Sequence, residues 1–186
     1  MFESGWFWGL CALTVFWALG AYNRLVRLRA QVVSRYAELM VALSGLIELA
    51  QNTLSEGVSD AGGPRQDADA THIAACWRRL NHASTQASVA LARMQEHCWL
   101  PQSVQDLNQT WRLFEATWDE LKVSPWGLLP EPARIQWQEQ RLLSQPLRRG
   151  FNASVEQYND AIAQFPANIV AKLFHFDPAA VLQENA

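Results

Sequence analysis

A chain of 186 residues with 49% hydrophobic content is long enough for one compact domain and an additional short segment, and too short for two large domains. Its net charge of -3 gives no general attraction to nucleic acid, and no basic run interleaved with aromatics occurs along it. Cys11, Cys76 and Cys98 form an odd set with no CxxC pair and no spacing that reads as a disulfide framework, which is compatible with a reducing compartment.

From Trp6 to Tyr22 no residue is charged, and extending back across Glu3 to Met1 brings the run to about the 20 residues that a bilayer requires. Trp6, Trp8 and Tyr22 lie toward its ends, where amphipathic rings favour the headgroup layer, and Trp17 lies deeper. No Lys or Arg precedes the run, whereas Arg24, Arg27, Arg29 and Arg35 follow it closely. Residues 1–22 are therefore expected to be a single-pass anchor in the inner membrane, with the N-terminus outside and the remainder in the cytoplasm. The membrane interface would be marked by Trp6, Trp8, Tyr22, Arg24, Arg27 and Arg29. A cleaved secretory signal is the rival reading, because Ala18-Leu19-Gly20 places small residues where a signal peptidase reads. The positively charged start of a signal peptide is missing.

The apolar pattern continues past the anchor. Leu25, Val32, Leu39 and Leu46 form one heptad row, Val26, Val33, Met40 and Ile47 the row beside it, and Tyr36, Leu43 and Ala50 a third. So broad a stripe marks a helix inside a bundle. With no proline before Leu54, anchor and first bundle helix read as one rod ending at Ser55-Glu56-Gly57. Residues 57–70, rich in Gly and Asp with one Pro, read as a loop.

A second helix is expected from about Asp69 to Thr71, with Ile73, Trp77, Leu80, Ser84, Ala87, Leu91, Met94 and Cys98 as its core row. Trp99-Leu100-Pro101 breaks it, and Ser103-Val104-Gln105-Asp106 resembles a capping box opening a third helix. That helix turns Val104, Leu107, Trp111, Phe114, Trp118 and Leu121 inward. The three prolines of residues 124–132 make a connection whose Trp126, Leu128 and Leu129 are expected to fold back on the bundle, the other possibility being that they meet a partner. Beyond Ala133 the helical period resumes. Pro146 either kinks a long fourth helix or starts a new one, and Phe165-Pro166 ends it. Phe151, Val155, Tyr158, Ile162 and Phe165 make its apolar row. Asn152 and Asn159, each after an aromatic and one heptad apart, are poor helix formers and would ordinarily be solvated. No stretch has the two-residue period of a half-buried strand, so the fold class is all-α.

These residues carry a family likeness. The chain resembles the LemA family at both ends: a membrane segment followed by Tyr22-Asn23-Arg24-Leu25-Val26-Arg27-Leu28-Arg29, and later Phe151, Asn152, Val155, Tyr158, Asn159, Ile162, Phe165 and Pro166, continuing to Leu173-Phe174. The resemblance implies an N-terminal transmembrane helix continuing into an antiparallel up-and-down four-helix bundle, in a bacterial membrane protein with no established catalytic activity. The bundle would span residues 23–176, followed by a tail at 177–186. The chain departs from the family pattern in its first bundle helix, where Leu39-Met40-Val41-Ala42-Leu43-Ser44-Gly45-Leu46 replaces a more basic motif.

For chemistry the chain offers little. His72 and Cys76 stand four apart on the second helix, and His97-Cys98 lie some five turns away, so the two pairs cannot share one metal. Glu38, Glu48, Glu115, Asp119 and Glu139 lie mostly off the apolar rows and read as solvated faces. No catalytic, cofactor-binding or metal residue is therefore nominated. In an up-down bundle, Trp99 and the segment after Pro166 return to the membrane side, where Ile169, Val170, Leu173, Phe174 and Phe176 would gather near Arg24, Arg27 and Arg29. The expected function is a non-catalytic scaffold or interaction module, with the lipid bilayer, an unidentified protein and a second copy as partners and nucleic acid excluded. An enzyme or metal-dependent factor is the alternative class.

Overall fold

The computed structural model describes residues 3–60, 67–96, 100–124 and 128–183, and they contain five helices and no strand. These are α1 (Glu3–Asp60), α2 (Asp67–Glu96), α3 (Pro101–Lys122), α4 (Glu131–Ala163) and the short α5 (Ala167–Leu173). Every long helix meets its neighbour head to tail. Tyr36 of α1 donates to the Leu91 carbonyl of α2, and its ring meets that of Phe151 of α4 at a tilt, centroids 6.0 Å apart. Arg79 of α2 pairs with Glu120 of α3, and Phe114 and Trp118 of α3 pack on Trp137 of α4. In each pair, early residues of one helix lie beside late residues of the next, so α1 to α4 run antiparallel.

The core is built from the rows the periodicity marks. Leu25, Val32, Leu39 and Leu46 are buried, as are Ile73, Trp77, Leu80, Ser84, Ala87, Leu91 and Met94 of α2 and all six inward residues of α3. In the second row of α1 only Ile47 is buried; Val26 and Val33 lie largely in the open. An aromatic block closes one end of the α3–α4 pair: Trp118 stacks on Trp137 with centroids 4.2 Å apart, and Phe114 meets the edges of Trp111 and Trp137. Offset and edge-on contacts of this kind add to what the buried area alone supplies.

Several expectations are corrected in the folded chain. Helix α1 does not stop at Ser55-Glu56-Gly57 but continues to Asp60. Gly57 is there for space: a Cβ at that position would run into the Trp77 indole. Helix α3 begins two residues before the supposed capping box, with Pro101 in its first turn and Leu100 as a cap lacking any side-chain bond; proline's fixed φ and missing N–H suit a first turn. Pro146 lies inside an unbroken α4. It sits on an exposed side of the helix, where water can reach the Leu142 carbonyl that its ring leaves without a donor. Phe165, placed inward by its spacing, is 80% exposed because α4 ends at Ala163 and the row does not extend that far. Leu129 is buried and Leu128 packs on the core, while Trp126 and Trp99 lie outside the described residues.

Helix α1 is 58 residues, roughly 90 Å at 1.5 Å per residue. Its first part differs in kind from the remainder. Trp6, Phe7, Trp8, Leu10, Leu13, Val15, Phe16 and Leu19 are all exposed and face every direction around the axis, whereas from Leu25 onward one face is buried. Among the described residues, nevertheless, no helix is long and apolar enough to cross a membrane, so the transmembrane part of the expected fold is not supported.

Candidate functional site

Two features meet where α1 enters the bundle. The first is a foot formed by α5. Ala167, Val170 and Ala171 are buried against the bundle, while Phe165, Ile169 and Leu173, spaced by four, face outward together with Phe174. The Tyr22 ring lies 4.9 Å from that of Phe174 and 5.9 Å from that of Phe176. Ala18 and Ala21 also pack on the core here. Asn23, Arg24, Arg27 and Arg29 are exposed on the next turns of α1, and Lys172 closes the last turn of α5. The expected gathering at the bundle base is thus assembled in part: Phe174 and Phe176 reach Tyr22, Ile169 and Leu173 stand exposed on the same foot, and Val170 is absorbed into the core.

The second feature escapes the periodicity altogether. Residues 177–183, expected as the start of a tail, run extended along α4 together with Phe176. Within them Phe176, Ala179 and Leu182 are buried, a period of three that matches an extended chain with three residues per turn and not the two of a strand. Asn159 Nδ2 donates to the Ala179 carbonyl at 2.8 Å, and the Ala179 N–H donates to Asn159 Oδ1 at 2.9 Å. Asn152 does the same for Leu182, at 2.8 and 2.9 Å. Each side-chain amide therefore stands in for a neighbouring peptide group, donating to and accepting from a single residue.

The spacing explains why two asparagines recur at a heptad. Seven helical residues advance about 10.5 Å, and three extended residues advance about 9.3 Å at the rise of a three-fold extended chain. One heptad on α4 thus keeps step with one three-residue turn of the strap. The strap runs antiparallel to α4, with residue 179 at Asn159 and residue 182 at Asn152. Further bonds fix its two ends: Tyr158 Oη donates to the Asp177 carbonyl at 2.9 Å, the Gln183 N–H donates to Asn108 Oδ1 of α3 at 3.1 Å, and Arg148 Nη1 donates to the Gln183 carbonyl at 3.3 Å. Leu182 is buried and lines a small gap together with Leu43 of α1, Leu107 and Trp111 of α3, and Arg148 of α4. Bonded to both α3 and α4, the strap is the wedge between them. Its sequence prepares it: Pro178 fixes its own φ and holds Asp177 extended, and Ala179 is small enough for the Asn159 amide to reach its backbone.

The remaining motif residues divide by role. Phe151, Val155 and Tyr158 are core, and Ile162 is half-buried. Burial raises the Tyr158 hydroxyl above its ordinary 10.0; Arg29 acts against that shift and Asp177 adds to it. The asparagines are not solvated, as helical context suggested, because the strap covers them. Their partners lie 20 and 30 residues downstream, in a stretch without helical period.

Nominated polar groups do not converge. Glu38 pairs with Arg35 at 3.0 Å and Glu115 with Arg141 at 3.6 Å, while Glu48, Asp119 and Glu139 are exposed. Cys76 is buried and accepts from Arg79 at 3.4 Å; His97 and Cys98 lie outside the described residues. Among the described residues there is no group of three His, Cys, Asp or Glu that could hold a metal ion.

Residues 134–186 match the model of the LemA family. The match covers nearly all of α4, the foot and the strap, the part of the chain that holds both aromatic-asparagine pairs. No curated protein and no solved structure matches the chain.

Proposed function

We propose that this chain, LemA-like from residue 134 onward, is a membrane-anchored helical bundle acting without catalysis as a scaffold or interaction module at the bacterial cytoplasmic membrane. The observation that carries this reading is the contrast within α1: apolar side chains exposed around the whole circumference from Trp6 to Leu19, then a single buried face from Leu25. A contiguous apolar surface of that extent is unfavourable in water and is matched by lipid. Trp6 and Trp8 suit one headgroup layer, and Tyr22 with Arg24, Arg27 and Arg29 suits the other; in this reading the N-terminus is outside and the bundle in the cytoplasm, as the positive-inside rule favours. The exposed Ile169, Leu173 and Phe174 of the foot then lie at the level of the anionic headgroups, beside basic side chains. A protein partner would dock on the bundle faces; no cofactor and no nucleic acid enters this reading.

Extraction and flotation test it. The full chain expressed in bacteria should stay in the membrane pellet through alkaline carbonate and float with vesicles, and a version lacking residues 1–17 should be released. Release of the full chain by carbonate, or a mature N-terminus at Ala21 or Tyr22, would overturn the anchor.

A further inference from the structure

The strap groove is a recognition site that reads main chain. Asn152 and Asn159 contact only the peptide groups of residues 182 and 179, and side-chain selection is left to three places that accept Phe176, Ala179 and Leu182. Such a site recognises an extended segment with the pattern Phe, two residues, a small residue, two residues, Leu, in the way sheet edges recognise an added strand. Trp111 and Leu182 line one small gap, and the Trp111 indole N–H is buried without a hydrogen-bond partner.

The connection between foot and strap is short and strained. His175 has φ of 53°, in the left-handed region that a residue with a Cβ disfavours, and it is flanked by the two aromatics that touch Tyr22. The Phe176 N–H donates to the Ala171 carbonyl of α5 at 2.9 Å, and the strap hydrogen bonds beyond it described above are to side chains. Opening at His175 would relieve the left-handed backbone and let residues 176–183 leave the groove as one unit.

We propose that the groove accepts residues 176–183 of a second copy, so that neighbouring chains exchange straps. Every copy carries the matching segment, already extended by Pro178. The inference rests on the anchoring reading in one respect: because α1 is continuous, copies in one membrane hold groove and hinge at equal heights, and confinement to two dimensions keeps them within reach of each other. Short hinges under strain favour such exchange.

The test uses the full chain with Cys11, Cys76 and Cys98 replaced by Ala, reconstituted in vesicles of phosphatidylethanolamine and phosphatidylglycerol. One population carries Asn108→Cys on α3 and the other Gln183→Cys on the strap, and the mixture is oxidised mildly and run on a non-reducing gel. Exchange yields the mixed dimer in excess over either like dimer, and the mixed band is lost when both populations also carry Asn152→Asp and Asn159→Asp. A single chain with both cysteines that closes internally, while the mixed populations give no dimer, would overturn exchange. So would failure of both, since the strap would then not lie where it is described. Repeating the mixing in detergent micelles separates this proposal from the anchor: protein that does not float with vesicles yet gives the mixed dimer in micelles refutes the anchor and leaves exchange standing.

Discussion

Asn159 illustrates how much one side chain can do when both of its amide ends are used. Asn159→Ala removes two hydrogen bonds and leaves the Ala179 peptide group half-covered without partners, an expected cost of about 1–3 kcal/mol. Asn159→Asp keeps the acceptor but turns a carboxylate oxygen toward the Ala179 carbonyl, so it should cost at least as much. Denaturant titration gives the loss, and amide exchange at Ala179 and Leu182 should speed up before exchange in α2 does. Tyr158 provides a second check. Its hydroxyl binds its proton more tightly in the folded chain than in the unfolded one, so its contribution to stability is complete below pH 10 and is lost as pH rises through the higher folded value. Stability measured from pH 8 to 11.5 should fall at the alkaline end, and Tyr158→Phe should flatten that part of the fall.

At the scale of elements, the heptad rows made the helices legible. α2 and α3 bury the residues their spacing marks, because a helix with one apolar stripe has a single way to face its neighbours. Boundaries were less legible. A capping box at Ser103 lost to Pro101, whose geometry suits the first turn whatever follows it. Gly57 read as a stop and proved to be a point of close approach, which only the position of Trp77 reveals. Gly57→Ala is accordingly expected to destabilise: the gain in helix propensity is about 1 kcal/mol, and forcing the indole aside costs about 1–3 kcal/mol. A thermal melt above that of the parent protein would contradict it. The strap was the least legible element, since its period of three belongs to neither regular structure and its partners are asparagines that ordinarily face water. Their repetition at one heptad was the visible signal; the direction they faced was not.

For the molecule as a whole, the family match and the wedge role coincide. The matched residues are those that join α4 to the groove beside α3, while the aromatic block of Trp118 and Trp137 closes the other end of the same helix pair. The bundle is thus closed by two different devices, one of packed rings and one of an extended chain held by amides. The foot stands between the strap and α1, and Tyr22 touches residues on both sides of His175.

The continuity of α1 has a mechanical consequence. There is no loop between its exposed apolar end and the bundle, so the two share one rotational phase. A single residue inserted after Asn23 would turn the upper part by about 100° relative to the lower and lift it by about 1.5 Å. Tyr22 would swing away from Phe174 and Phe176, whereas a seven-residue insertion would bring it back to nearly the same azimuth one heptad higher. A fluorescence quench between labels at Trp17 and Leu173 would follow that dial: lost with one residue, and partly restored in direction but not in distance with seven. In a chain built this way, the angle at which the rod enters sets the direction in which the bundle faces.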